Sequence, residues 1–220
     1  MVGVPISKLC DINANKKIIV DTHNELRAQV SPAATNMLKM EWSDKAAELA
    51  AGYARSCKQY HSQQTERNFT GFNCGENLFM SSFKASWEDV IKAFYSEVSN
   101  FEYGKGAIDP DQEILHYTQL VWYASFQVGC ACAECPVSDD TQKYFYVCRY
   151  CPPTNLKTIP YPYKKGKNCG DCENSCDNGL CTNHCPYNQN KYGDCPSLAK
   201  GDGCQKEIGL MDDCPASCHC

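Results

Sequence analysis

Leu115-His116-Tyr117-Thr118-Gln119-Leu120-Val121-Trp122 places an ionisable imidazole, three hydrogen-bonding side chains and an apolar block within eight positions. A segment so built can bury one end and present the other. Its lone histidine has two readings, a satisfied core histidine, which is the commoner case, or a ligand held at the rim of a site. On the C-terminal side, Gln127 to Cys132 and Lys143 to Tyr150 are rich in Val, Tyr and Phe and are separated by a polar loop starting at Pro136. That is the pattern of a hairpin with a long connection.

The N-terminal side reads as helical. From Lys16 to Val30, Ile19, His23, Leu26 and Val30 recur at three- and four-residue steps, and Ser31-Pro32 closes the run. Ser43 reads as the N-cap of a second helix ending at Cys57, whose face of Ala46, Ala47, Ala50 and Ala54 suits close approach to another layer. A third begins at Ser86, with Asp89 completing something close to a capping box, and aligns Trp87, Val90, Phe94 and Val98, with Glu97 beside that face. Between them Lys58 to Asn73 holds no period and reads as a surface loop carrying His61 and the sequon Asn68-Phe69-Thr70. Helices combined with an antiparallel pair make an α+β layered domain.

Cysteine content separates the last third from the rest. Eighteen cysteines in 220 residues argue for an oxidising, extracellular compartment, so the protein is expected to be secreted and disulfide-bonded. A zinc array would show paired Cys-x-x-Cys blocks, and Cys169-x-x-Cys172 stands alone. Residues 1 to 9 contain no signal core, so the sequence reads as a mature form. No apolar run is long enough to span a bilayer. A net charge of -5 leaves no basic field for nucleic acid. Residues 157–220 hold ten of the cysteines and only Ile159, Leu180, Leu198, Ile208, Leu210 and Met211 as large aliphatic residues. So little apolar area does not offset the ordering entropy, and cross-links must shape this part.

Three segments resemble a known family. His116 to Ser125 resembles the first signature of the CAP superfamily, with Leu115 where Gly or a charged residue is usual. Phe145-Tyr146-Val147-Cys148-Arg149-Tyr150-Cys151-Pro152-Pro153-Thr154-Asn155-Leu156 resembles the second, with Thr154 where Gly or Leu is usual. Cys169 to Cys185 resembles the hinge of cysteine-rich secretory proteins, with His184 where Pro is common. The resemblance implies a three-layer α-β-α sandwich over 1–156, a linker over 157–168, a hinge over 169–184 and a cysteine-rich, channel-toxin-like module over 185–220. It also implies the pairs Cys57–Cys135, Cys74–Cys151, Cys130–Cys148, Cys169–Cys176, Cys172–Cys181, Cys185–Cys220, Cys195–Cys214 and Cys204–Cys218. Cys10 and Cys132 remain, and are expected to bond to each other; a free thiol or an intermolecular bridge at Cys10 is the alternative.

The same resemblance places His61, Glu76, Glu97 and His116 around a cleft. Neutral imidazoles ligate Zn²⁺, and the glutamates orient them, hold a metal-bound water or ligate directly. The other reading is a hydrogen-bonded polar cluster. An enzyme is not expected: a Ser62, His61, Glu76 set can be drawn, but no Gly-x-Ser-x-Gly elbow or His-Glu-x-x-His helix is present. Family function points instead to a secreted monomer that blocks or modulates ion channels, voltage-gated K⁺ or Ca²⁺ or cyclic-nucleotide-gated, as venom toxins do, its partner being an ion channel or another cell-surface membrane protein; a sperm-coating, cell-surface binding role is an alternative. Sterol or lipid carriage is another. Lys191 beside Tyr192, and an apolar rim of Ile208, Leu210 and Met211, are the candidate channel contacts. From residue 157 onward seven Lys face eight acids, a net of -1, which disfavours a simple electrostatic plug. An N-glycan is expected at Asn68.

Overall fold

The computed structural model describes residues 12–69, 73–138, 141–182, 192–199 and 214. Its centre is a four-stranded sheet in the order β1-β5-β6-β2, formed by β1 (Glu41–Trp42), β5 (Gln127–Glu134), β6 (Tyr144–Cys151) and β2 (Gly75–Ser81). The expected hairpin is β5–β6, antiparallel, with Cys130 opposite Cys148. β1 runs parallel to β5, and β2 is antiparallel to β6 at the edge. Strand periodicity sorts the side chains of β6 into two layers. Tyr146, Cys148 and Tyr150 join the larger core, while Phe145 and Val147 join a second core beneath α2 (Asp44–Ala54).

α1 (Ile12–Ala28) and α3 (Trp87–Ser96) pack on the larger core, together with the short α4 (Leu115–Leu120). α2 covers the opposite face, giving the three-layer α-β-α sandwich. Ser43 caps α2 by accepting from Ala46 N at 3.3 Å, and Ser86 caps α3 by accepting from Asp89 N at 3.1 Å. Ala46, Ala50 and Ala54 are fully buried, and the close approach has a partner. A Cβ on Gly129 of β5 would lie 2.2 Å from Ala47 N, so only glycine lets helix and strand come this near.

Several boundaries differ from the periodicity. α1 spans Ile12–Ala28 and α2 stops at Ala54, and the last apolar positions of the two periods lie past the helix ends, Val30 buried and Cys57 partly buried against the smaller core. After α3 the chain tightens into a 3₁₀ turn, Glu97–Asn100, and a small hairpin of β3 (Phe101–Glu102) and β4 (Gly106–Ala107).

Residues 160–182 are stitched onto the sandwich by backbone hydrogen bonds. Gly104 N donates to Pro160 O, Tyr123 N to Pro162 O, Thr35 N to Lys164 O and Gly166 N to Ala33 O, each at 2.8 Å. Tyr163, in the segment read as a linker, is 2% exposed. The hinge forms a hairpin of β7 (Cys176–Asp177) and β8 (Leu180–Cys181) around Asn178-Gly179, both with positive φ, the two-residue turn that matches strand twist. Cys181 N donates to Met37 O and Lys39 N to Cys181 O, both at 2.8 Å, and Leu180 is buried in the larger core. α5 (Cys195–Leu198) comes next.

Among the described residues six of the expected disulfides are formed: Cys57–Cys135, Cys74–Cys151, Cys130–Cys148, Cys169–Cys176, Cys172–Cys181 and Cys195–Cys214. Cys132 is disulfide-bonded; Cys10, Cys185, Cys204, Cys218 and Cys220 lie outside the described residues, as do Lys191, Ile208, Leu210 and Met211. Among the described residues no helix is long and apolar enough to cross a membrane.

Candidate functional site

β2 opens with Gly75-Glu76-Asn77, and period-2 alternation sends the last two side chains to opposite layers. Glu76 lies on the α2 side, in line with Leu78 of the smaller core, and directly opposite Arg149 of β6. Asn77 lies on the other side, where its Nδ2 donates to His116 O at 3.0 Å. Each layer therefore brings one histidine to the same sheet edge. His61 Nδ1 donates to Glu76 Oε1 at 2.8 Å, and His116 Nδ1 donates to Glu97 Oε1 at 2.6 Å.

The two pairs are held differently. Glu97, at the end of α3, also accepts from Tyr117 N at 3.0 Å, and the His116 ring stacks on Phe94 with centroids 5.3 Å apart. Glu76 is 6% exposed and accepts from Ser62 N at 3.0 Å, Ser62 Oγ at 2.9 Å and the guanidinium of Arg149, with Arg67 3.3 Å away. Burial alone would raise the Glu76 carboxyl, but the His61 hydrogen bond, the two arginine charges and the Ser62 N–H outweigh it and bring it below the usual range. Arg149 is wholly buried over the face of Tyr53, and burial draws its guanidinium down against the pull of Glu76. Its Nε and Nη2 have no partner among the described residues. Burial likewise pushes the Tyr53 hydroxyl up to about 12.

His61, Glu76 and His116 line one cleft of about 330 Å³, with Gln64, Arg67, Gln119 and Thr154 and with the exposed Leu115 and Leu156, while Glu97 joins it through its bond to His116. Its floor is a polar clamp. Gln119 Nε2 donates to Ser125 Oγ at 3.0 Å, Gln119 Oε1 accepts from Thr154 N at 3.1 Å, and Ser125 Oγ donates to Pro152 O at 2.6 Å. A Cβ on Gly75 would stand 1.9 Å from Gln119 Oε1, which explains the glycine.

Because both imidazoles spend Nδ1–H on a carboxylate, each has its Nε2 lone pair free for a ligand, the carboxylate–histidine arrangement found behind metal ions. Among the described residues no three of the four groups bring ligand atoms within 4.8 Å of one another. The donor chemistry suits a divalent ion, at an open site with two protein imidazoles. Cys169, Cys172 and Cys181 do cluster that tightly, but all three are in disulfides and offer no thiolate.

The Ser62, His61, Glu76 set meets in an order unlike a hydrolytic triad. Ser62 Oγ donates to Glu76 and accepts from Arg67 Nε and Arg149 Nη1, the last two at 3.0 Å, while His61 bonds the other carboxylate oxygen. No imidazole sits on the hydroxyl, and the carboxylate facing it is weakened as a base. The core-histidine reading belongs instead to His23 of α1, fully buried with Nδ1 2.7 Å from Ile19 O and Nε2 2.8 Å from Tyr150 Oη. Nearby Arg27, also buried, donates to the carbonyls of Leu38, Leu120, Trp122 and Tyr123 and so fixes the end of α4. Sequence reasoning overlooked Arg67, Arg149, Asn77 and Gln119 as site residues; a buried-face arginine in the alternating run Phe145, Val147, Arg149 was the available signal.

Two family models match this chain. The one described as "CAP: Cysteine-rich secretory protein family" covers residues 20–150, and the one described as "Crisp" covers residues 169–220. The chain belongs to the cysteine-rich secretory protein family. Solved structures agree on the fold. The crystal structure of NaASP2 with Zn2+ is 26% identical, with TM-score 0.61 over 82% of this chain and 100% of that one. Na-ASP-1 is also 26% identical, with TM-score 0.63 over 77% of this chain and 47% of that one. Hookworm Platelet Inhibitor, 22% identical with TM-score 0.60 over 82% of this chain and 96% of that one, shares the fold. Family membership and the many disulfides are consistent with secretion.

A second cavity, about 350 Å³, lies between the starts of α1 and α2. Its lining joins Ile12, Trp42, Ala47 and Ala51 to Lys16, Asp44 and Glu48, a mixed surface of apolar and charged groups.

Proposed function

We propose that this family member is an extracellular binding protein that modulates ion channels, or another cell-surface membrane protein, through its cysteine-rich end, and that its cleft takes a divalent cation, zinc foremost. The observation behind the first half is the seating of the hinge. Its hairpin is hydrogen-bonded to residues 37 and 39 and buries Leu180, so the chain leaves the hinge from a fixed point. A pre-positioned, cross-linked recognition element loses little entropy on docking. Tyr192, 58% exposed, is the candidate contact among the described residues. Whole-cell recording across a channel panel tests the reading, comparing the full chain with a version ending at Thr182, which keeps the stitched hinge. Equal activity of the two forms would move function to the larger domain.

For the cleft, the support is the pair of Nδ1–carboxylate bonds, together with the zinc in the crystal structure named for NaASP2, a 26% identical relative. His61 and His116 would hold the ion and Glu76 and Glu97 would orient them; bound there, it would supply a positive anchor for an anionic group. Zinc titration calorimetry tests this, with His61→Ala and His116→Ala each expected to abolish the isotherm. An unchanged isotherm in both would refute it.

A further inference from the structure

We infer that Asn68 carries an N-linked glycan that stands at the rim of the His61–His116 cleft and admits metal ions while excluding macromolecules. The sequon is Asn68-Phe69-Thr70. Asn68 directly follows the 3₁₀ turn Gln64–Arg67, whose two end residues line the cleft. It is exposed, in extended backbone with φ -100° and ψ 142°. Gln64 Nε2 reaches both Asn68 Oδ1, at 3.4 Å, and Cys74 O, at 3.3 Å, so the carboxamide is one hydrogen bond from the cleft lining.

That bond engages the oxygen only. Among the described residues Asn68 Nδ2, the atom the sugar joins, has no hydrogen-bond partner. In the transfer, the Nδ2–C1 bond forms as the C1–O bond to a lipid-diphosphate donor breaks; the lipid diphosphate departs and one Nδ2 proton goes to a base of the transferase. Oδ1 stays free to accept from Gln64. Phe69 packs against Ala46 and the Cys74–Cys151 pair, which pins the branch point to the domain instead of letting it swing clear. A bulky hydrated glycan fixed here overhangs a cleft whose mouth is formed partly by Gln64 and Arg67. An ion or a water passes beneath such an overhang; a protein surface does not.

This inference rests on the cation reading of the cleft, and the test separates the two. The full chain is expressed through a eukaryotic secretory route, beside Thr70→Ala, which removes the sequon and leaves every residue lining the cleft unchanged. Intact mass is expected to fall on peptide N-glycosidase treatment of the native sequence and not of the variant. Free Zn²⁺ is expected to bind both with the same affinity by calorimetry. On a Zn²⁺–iminodiacetate matrix, Thr70→Ala is expected to be retained several-fold more strongly, a gain lost when His61→Ala and His116→Ala are added. No mass change overturns the inference, as does equal retention of the two forms with matching isotherms. A missing isotherm in both forms overturns the cation reading and with it the filter, while leaving the glycan as a mass shift.

Discussion

Acidification from about pH 7 to about pH 5 is expected to remove about 2 kcal/mol of stability through His23 alone. The imidazole is fully buried, and its two ring nitrogens are satisfied in the neutral tautomer that donates to Ile19 O and accepts from Tyr150 Oη. Protonation would turn the accepting nitrogen into a donor and set a second charge near Arg27. Burial, with the Arg27 charge adding to it against the Ile19 hydrogen bond, lowers the pKa from 6.5 to about 4. The sign follows from which state takes up the proton. Above 6.5 both folded and unfolded chains are neutral at this position, and it contributes no slope. Between 6.5 and about 4 the unfolded chain binds a proton that the native state refuses, so stability falls as pH falls. At about 1.4 kcal/mol per decade the full loss is about 3 kcal/mol, of which about 2 is reached by about pH 5. The assay is guanidinium denaturation, disulfides intact, at a series of pH values for the native sequence and His23→Gln. The variant will be less stable throughout, but the other four of the five histidines are common to both chains, so the difference in slope isolates this one. Parallel pH profiles for the two proteins would refute the assignment.

Glu97→Gln is expected to weaken zinc binding by about 10- to 100-fold while leaving the fold intact, because it removes the acceptor that orients His116, and calorimetry reads the change. Arg149→Met should cost up to about 3–5 kcal/mol by removing the buried cation hydrogen-bonded to Glu76 and leaving Arg67 alone to balance that carboxylate, and Arg149→Met combined with Glu76→Gln should recover part of that loss in the same denaturation experiment. For Gly129→Ala the added carbon meets backbone of α2, which has no side chain to swing aside, so a loss of at least about 1–3 kcal/mol is expected in thermal melts. A melting temperature unchanged from the native protein would contradict the close packing of that helix on the sheet.

How far the chain could be read from its letters depended on whether a residue's purpose was local. The β5–β6 hairpin was legible because Tyr, Phe and Val crowd the second strand behind a polar loop, and the caps at Ser43 and Ser86 were legible because a cap is satisfied within three residues. β2 was not, since it opens with Gly75, Glu76 and Asn77, residues that serve the cleft at the expense of strand propensity. The linker reading of residues 157–168 has the same origin in reverse. Polar composition suggested a spacer, yet its backbone is bound to residues 33 and 35, and backbone partners leave no trace in side-chain pattern. In the hinge, Asn178-Gly179 was a hairpin signal that went unread.

The four cleft residues were visible only through family resemblance, and the structure gives the physical cause. Glu97 and His116 are 19 positions apart, His61 and Glu76 are 15, and Glu76 and Arg149 are 73. No helical or strand period links such pairs. What joins them is the free edge of a sheet clad on both faces, where neighbouring side chains of one strand turn toward different layers. A cleft of this kind requires β2 to remain the outermost strand, because a further strand hydrogen-bonded there would stand between the two imidazoles. Its position at the edge is therefore a condition of the site, and the Asn77 side chain, donating to the His116 carbonyl, ties α4 to that strand and sets the second histidine in place.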